Sequence, residues 1–199
     1  MYISVFTDEL QKEVTDILPT IASWGMEYVD FRSRINGKMI ENQTPQELKT
    51  LRSQLKELGL QTGVIQSSLG KVHLPDADGL KREMEKLEGI IRAADALDCR
   101  YVRSFNFWQH DQNDPRCGEL AMRPDALANV LEMYYPFAKR AQEAGLILGL
   151  KTAGRPLMRS LPFWKRLIFR NGAWLGMLPI CLSCCRMHRG IVLITSPKH

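Results

Sequence analysis

Acidic residues are missing from the last quarter of this 199-residue chain: all 22 Asp and Glu fall within residues 1–150, and residues 151–199 have none. The tail still carries nine Lys and Arg, so the formal net charge of +5 misrepresents the rest of the chain. Residues 1–150 hold 18 Lys and Arg against the 22 acids and are mildly acidic. They offer no basic stripe with interleaved aromatics, and DNA or RNA binding needs phosphate-neutralising residues, so nucleic acid is not an expected partner. Long apolar runs are lacking too. None reaches the roughly 18 residues of a membrane helix, and residues 161–185 are broken by Lys165, Arg166, Arg170 and Asn171; no membrane is expected. No secretory apolar segment opens the chain, because residues 1–6 run straight into Thr7-Asp8-Glu9. The five cysteines (Cys99, Cys117, Cys181, Cys184 and Cys185) are odd in number and unevenly spread, which suits no disulfide framework. A soluble, cytoplasmic protein is the expectation.

Several motifs are present only in part. No Gly-x-Gly-x-x-Gly follows the first apolar run, which weakens a dinucleotide-binding fold. Gly70-Lys71 lacks the rest of a phosphate loop. Cys181-x-x-Cys184-Cys185 with His188 has no second cysteine pair to complete a zinc knuckle. Phe163, Trp164 and Trp174 lie among basic residues, but Pro156, Pro162 and Pro179 interrupt any long amphipathic helix there.

What the chain does have is one pattern repeated: an amphipathic helix, a small stop residue, then a short apolar run. Val14, Ile17, Leu18 and Ile21 make a helical face that ends near Gly25, before a strand at 28–31. Thr44-Pro45-Gln46-Glu47 supplies an N-cap, a first-position proline and a capping-box glutamate. Leu48, Leu51, Leu55 and Leu58 continue that helix until Gly59 stops it, with a strand at 61–66. A third helix over 78–97 leads to a strand at 101–105. A fourth starts near Pro124, is expected to kink at Pro136, and stops at Gly145 before a strand at 146–150. With a first strand at 2–6, five strands alternate with four helices, which implies α/β architecture with a parallel sheet. An incomplete (β/α)8 TIM barrel fits best, because a full one takes about 250 residues. Open edges on the first and fifth strands would be where a second copy could pair.

The genetic code offers an account of the tail. Reading from the third nucleotide of the Gly172 codon permits GLAWDVANMLE, and the same offset at Lys151 permits NCGQTPDEVIAFLE, with no forced stop. The recovered text has the acids and helical periodicity that the written tail lacks. Loss of one nucleotide from a Glu-Asn codon pair would produce the Lys151-Thr152 that stands there. Residues 1–150 then form the front of a barrel, and residues 151–199 are expected to be out of frame and poorly structured.

In parallel α/β folds the active face lies at the carboxyl ends of the strands. That selects Thr7, Asp8 and Glu9, then Asp30, Arg32 and Arg34, then Gln66-Ser67-Ser68, then residues 103–108, then Lys151. This polar rim suits a hydroxylated or anionic small molecule, with Glu9, Arg32, Gln66, Arg103, Asn106 and Trp108 as candidate substrate-binding residues.

At these positions the chain resembles a known family. The run Gln66-Ser-Ser-Leu-Gly-Lys-Val-His-Leu-Pro75, the strand end Arg103-Ser-Phe-Asn-Phe107 and Gly145-Leu-Ile-Leu-Gly-Leu150 look like the xylose isomerase-like TIM barrels. These are the sugar phosphate isomerases and epimerases, a superfamily shared with endonuclease IV, and the resemblance covers residues 1–150. It implies a divalent metal (Mn, Mg, Co or Zn) held by carboxylates and a histidine from strands five to eight. It also implies a sugar or sugar phosphate substrate, and proton transfer beside its carbonyl. Lys151 occupies the position of the implied strand-five Glu, a cation where a dication should bind, so no intact catalytic set and no metal-dependent turnover are expected from this chain. His73 and His110 could parallel the zinc-binding histidines of endonuclease IV relatives, although neither directly follows its strand. The alternatives are an endonuclease IV-like phosphodiesterase, disfavoured by the acidic front, and a non-catalytic binding module whose basic tail is genuine.

Overall fold

The computed structural model describes residues 3–10, 12–72, 76–105, 107, 124–151, 176–177, 191–192 and 194–195. Its elements follow the repeating pattern closely. Strand β1 (Ser4–Phe6) leads through a 3-10 turn into helix α1 (Val14–Ser23), and β2 (Tyr28–Arg32) follows. A short hairpin, β3 (Arg34–Ile35) and β4 (Lys38–Met39), turns at Asn36-Gly37 with φ of +48° and +74°. This is the left-handed pair that an Asn-Gly turn favours. The next elements are α2 (Pro45–Glu57), β5 (Gln61–Gln66), α3 (Ala77–Ala96), β6 (Tyr101–Ser104), α4 (Pro124–Glu143) and β7 (Ile147–Lys151). Two-residue strands β8 (Gly176–Met177), β9 (Ile191–Val192) and β10 (Ile194–Thr195) complete the list.

Helix α2 shows how local chemistry sets a boundary. The Thr44 hydroxyl accepts from the Glu47 amide at 3.2 Å, and the Glu47 carboxylate accepts from the Thr44 amide at 2.6 Å. Two amide donors at the helix start are thereby satisfied. Leu48, Leu51 and Leu55 then turn inward. Prolines Pro19 and Pro136 lie inside α1 and α4, both of which continue past them.

The chain divides into two compact units, residues 1–68 with 85–103, and residues 69–84 with 104–199. In the first unit β1, β2, β5 and β6 stand side by side in parallel. Val29, Phe31 and Ile65 of this sheet, Ile17, Leu18 and Ile21 of α1, and Leu51 and Leu55 of α2 are all buried. From α3, Leu87, Ile90, Ala93 and Ala94 add to the core of this unit. Among the described strands β1 has a single neighbour, β2.

In the second unit the loop after β5 is tied down. The Glu83 carboxylate accepts from the Gly70 amide at 2.7 Å, and Leu69 and Gly70 carbonyls accept from Phe105 and Phe107. Gly70 has φ of +69°, and a Cβ there would run into the Phe105 carbonyl oxygen, so only glycine fits. Phe107, Tyr134 and Phe137 form an aromatic cluster with centroids 5.6–6.2 Å apart. Strand β7 pairs antiparallel with β9, and β10 with β8. This corrects one expectation: the edge of the fifth main strand is covered, by β9.

Candidate functional site

The ladder aligns three polar residues at the carboxyl ends of adjacent strands: Arg32 pairs with Gln66, and Gln66 with Arg103. Laterally paired residues of neighbouring strands project to the same face, so these side chains form one row. A bulge makes the row possible. Val29 pairs with Thr62 but Phe31 pairs with Ile65, so β5 carries one extra residue in that interval. Were the pairing to run straight from Tyr28 and Gln61, Arg32 would stand beside Ile65. The bulge advances β5 by one, placing Gln66 beside Arg32 and apolar Ile65 beside Phe31.

Asp30 stabilises the bulge. Its carboxylate accepts from the Val64 amide at 2.9 Å, a donor inside the irregular stretch of ladder. The Ser4 hydroxyl and the Gln66 amide also donate to it, but burial outweighs these bonds and raises the Asp30 pKa above the usual aspartate value. The Thr7 hydroxyl donates to the Asp30 carbonyl at 3.4 Å. Asp30 was expected on the solvated rim. The strand in fact runs on to Arg32, which leaves Asp30 mid-strand and only 5 % exposed.

Arg103 is 7 % exposed and spends its donors on the turn after β5. It reaches Gln66 Oε1 at 2.8 Å, the Gln66 carbonyl at 2.9 Å and the Ser67 carbonyl at 2.9 Å. In return the Ser67 hydroxyl donates to the Arg103 carbonyl at 2.6 Å. Burial, reinforced by the nearby Arg32 charge and opposed by Asp8, lowers the Arg103 pKa to about 10. Gln66 is therefore held between Asp30 and Arg103, its amide nitrogen towards the acid and its oxygen towards the guanidinium.

Arg32 forms the outer part of the site. It bridges Asp8 at 3.2 Å and Glu9 at 2.9 Å, and its guanidinium lies 4.5 Å from the Phe6 ring centroid. Stacking and two carboxylates fix a planar cation that remains about one third exposed.

Glu9, Arg32, Gln66 and Arg103 are thus brought together, as two linked pairs along the strand ends. Asn106 and Trp108, together with His73, His110 and the cysteines other than Cys99, lie outside the described residues. Lys151 ends β7 and pairs in register with Ile191. The bond from Ser4 and the role of Val64 were not foreseen. The one available signal was an aspartate inside the apolar run Tyr28-Val29-Asp30-Phe31.

Among the described residues no three His, Cys, Asp or Glu side chains converge as metal ligands. Asp8 and Glu9 are both engaged by Arg32, and the end of β7 carries a lysine. The described residues do not fit a divalent metal.

A parallel α/β sheet with a polar row at its carboxyl strand ends belongs to the class in which that face carries the site. The chain belongs to the xylose isomerase-like TIM barrel family, whose model matches residues 18–190. That span takes in most of the acid-free tail, further than the motifs in residues 1–150 reach.

Solved structures agree on the fold. A D-psicose 3-epimerase with D-tagatose from Clostridium cellulolyticum H10 is 11 % identical with a TM-score of 0.64, over 84 % of this chain and 60 % of its own. The probable 3-DHS dehydratase of petrobactin synthesis from Bacillus anthracis is 17 % identical with a TM-score of 0.63, over 85 % and 58 %. A family protein from Mycobacterium smegmatis in complex with magnesium is 13 % identical with a TM-score of 0.61, over 83 % and 61 %. The chain therefore spans about 60 % of the length of such relatives, whose chemistries differ. No curated protein matches it.

Proposed function

We propose that the strand-end row binds a hydroxylated carbonyl compound of the sugar isomerase and epimerase kind, and that this polypeptide holds such a ligand without metal-dependent turnover. The observation that carries the reading is the alignment of Arg32, Gln66 and Arg103 at the carboxyl strand ends. Arg32, one third exposed, is paired through its terminal nitrogens with Asp8 and Glu9 and can offer ligand oxygens only its remaining N–H groups, while Arg103 and Asp30 lock the Gln66 amide from beneath. The family relative with D-tagatose supports the ligand class. Lys151, at the end of β7, supports the loss of turnover.

D-tagatose titrated into the full chain is expected to bind with a Kd on the order of 1 mM, and Arg32→Ala to weaken it about tenfold. Binding that Arg32→Ala leaves unchanged would remove the row from the site. The reading also holds that one nucleotide is missing at Lys151. Restoring it in the gene is expected to yield a longer chain with Glu-Asn at that point and epimerase activity on adding magnesium. A stop codon soon after the restored nucleotide, or an inert repaired chain, counts against that part.

A further inference from the structure

Among the described residues, positive φ outside glycine occurs at Ser33, Asn36, Asp98 and Phe107. Asn and Asp tolerate this region through local hydrogen bonds, and Phe107 belongs to the second unit. Ser33 touches the strand-end row. It follows Arg32, the last residue of β2, and its φ is +26°. That value falls short even of the left-handed well at roughly +50 to +70°. Glycine would take this backbone without a steric penalty, so the serine is held there against its preference.

Hydrogen bonds on both sides of Ser33 do the holding. Its amide donates to the Gln66 carbonyl at 3.0 Å, the rung that completes the pairing of Arg32 with Gln66. Its hydroxyl donates to the same carbonyl at 3.3 Å. The Ser33 carbonyl accepts from the Ile40 amide at 2.9 Å, which closes the neck of the β3–β4 hairpin. Arg103 Nη2 also donates to the Gln66 carbonyl, at 2.9 Å. That one oxygen of β5 therefore ties β2 and β6 together at the row, and Ser33 is its link to β2.

Strained residues over-determined by their surroundings cluster where a fixed geometry serves a ligand. Glycine after Arg32 would relieve the backbone but let the neck move, and a ligand would then have to order it on binding. We infer that Ser33 is a positioning residue, whose strained backbone and two bonds to the Gln66 carbonyl fix the pairing of Arg32 with Gln66 for a ligand at the strand ends. The inference rests on the row being the ligand site proposed above.

The test compares Ser33→Gly with Ser33→Ala in the full chain, since both lose the hydroxyl and they differ only by a Cβ. Relief of strain should put the Tm of Ser33→Gly about 2–4 °C above that of Ser33→Ala. Affinity for D-tagatose should run the other way, at least about threefold weaker in Ser33→Gly than in Ser33→Ala, as the neck loosens. A residue that merely supports the fold would give the same order in both measurements. In the ligand-free chains, amide exchange at residue 33, corrected for intrinsic rates, should be at least about fivefold faster in Ser33→Gly. A Tm no higher in Ser33→Gly, an affinity that follows the Tm, or exchange no faster in Ser33→Gly would each overturn the proposal. A wild-type chain that binds no D-tagatose would sink the ligand reading instead, and the exchange rates would then decide whether Ser33 holds the neck.

Discussion

Arg103 acts on its own chain before it can act on any ligand. Its guanidinium holds two consecutive carbonyls and the Gln66 side chain in a buried setting, so truncation strands several acceptors at once. Arg103→Met is expected to cost about 3–5 kcal/mol in urea denaturation. Arg103→Lys should recover only part of this, because one ammonium can donate to the two carbonyls as Nη2 does but has no second nitrogen for Gln66 Oε1. Asp30 offers the complementary case. Its pKa is raised by burial, so its stabilising share is present below the ordinary aspartate pKa and declines as pH rises through the folded value. Asp30→Asn keeps an acceptor for Val64 and should hold stability within about 1 kcal/mol at pH 7, whereas Asp30→Leu strands that amide and should lose about 1–3 kcal/mol. Equal effects from the two substitutions would show that the Val64 bond does not matter.

At the scale of elements, α2 owes its start to three residues. Thr44→Ala is expected to cost about 1 kcal/mol. Lys38, with the amide and hydroxyl of Thr44, holds the Glu47 carboxyl at about 2, well below the usual glutamate value. The sign follows: this contribution is complete above about pH 4.5 and fades as pH falls towards 2. An acid titration followed by helix signal should therefore show a shallower loss over that window in Thr44→Ala than in the wild type.

The same cap was legible in the sequence, because Thr-Pro-Gln-Glu encodes it within four adjacent residues. The main strands and the four helices were legible for a similar reason, since periodicity and stop glycines are local signals. The β3–β4 hairpin carried its signal in Asn36-Gly37, but strands two residues long leave no alternation to read. The bulge at β5 left no trace at all. Register is fixed between residues such as Tyr28 and Gln61 that lie far apart in the chain, and no local window contains both. For that reason the strand-end residues could be named in advance, while the pairing of Gln66 with Arg103 could not.

For the molecule as a whole, neighbour number should govern local stability. Strands β2 and β5 are flanked by a strand on both sides, while β1 has a single partner among the described residues. Amide exchange in the first unit should be slowest in β2 and β5 and markedly faster in β1. Protection in β1 equal to that of β5 would indicate that something else covers its edge, a second copy being the first candidate to check by sedimentation. Most of residues 152–199 lie outside the described residues. Those described are the two-residue strands β8, β9 and β10, of which β8 alone falls within the family match to residue 190.

The extra residue in β5 also gives the protein a simple genetic handle. Inserting one codon near Gly63 is the smallest change that can re-index the ends of β2 and β5 against each other, whereas deleting one there would only straighten the bulge. With Val29 still paired to Thr62 and the bulge retained, one inserted residue would put Ile65 beside Arg32 in place of Gln66. Point substitutions can only alter the residues in the row, whereas this spacer decides which residues meet there. A lineage, or a designer, seeking a new ligand on this scaffold could slide Gln66 by about 3.3 Å past Arg32 and Arg103 without altering any of the three side chains.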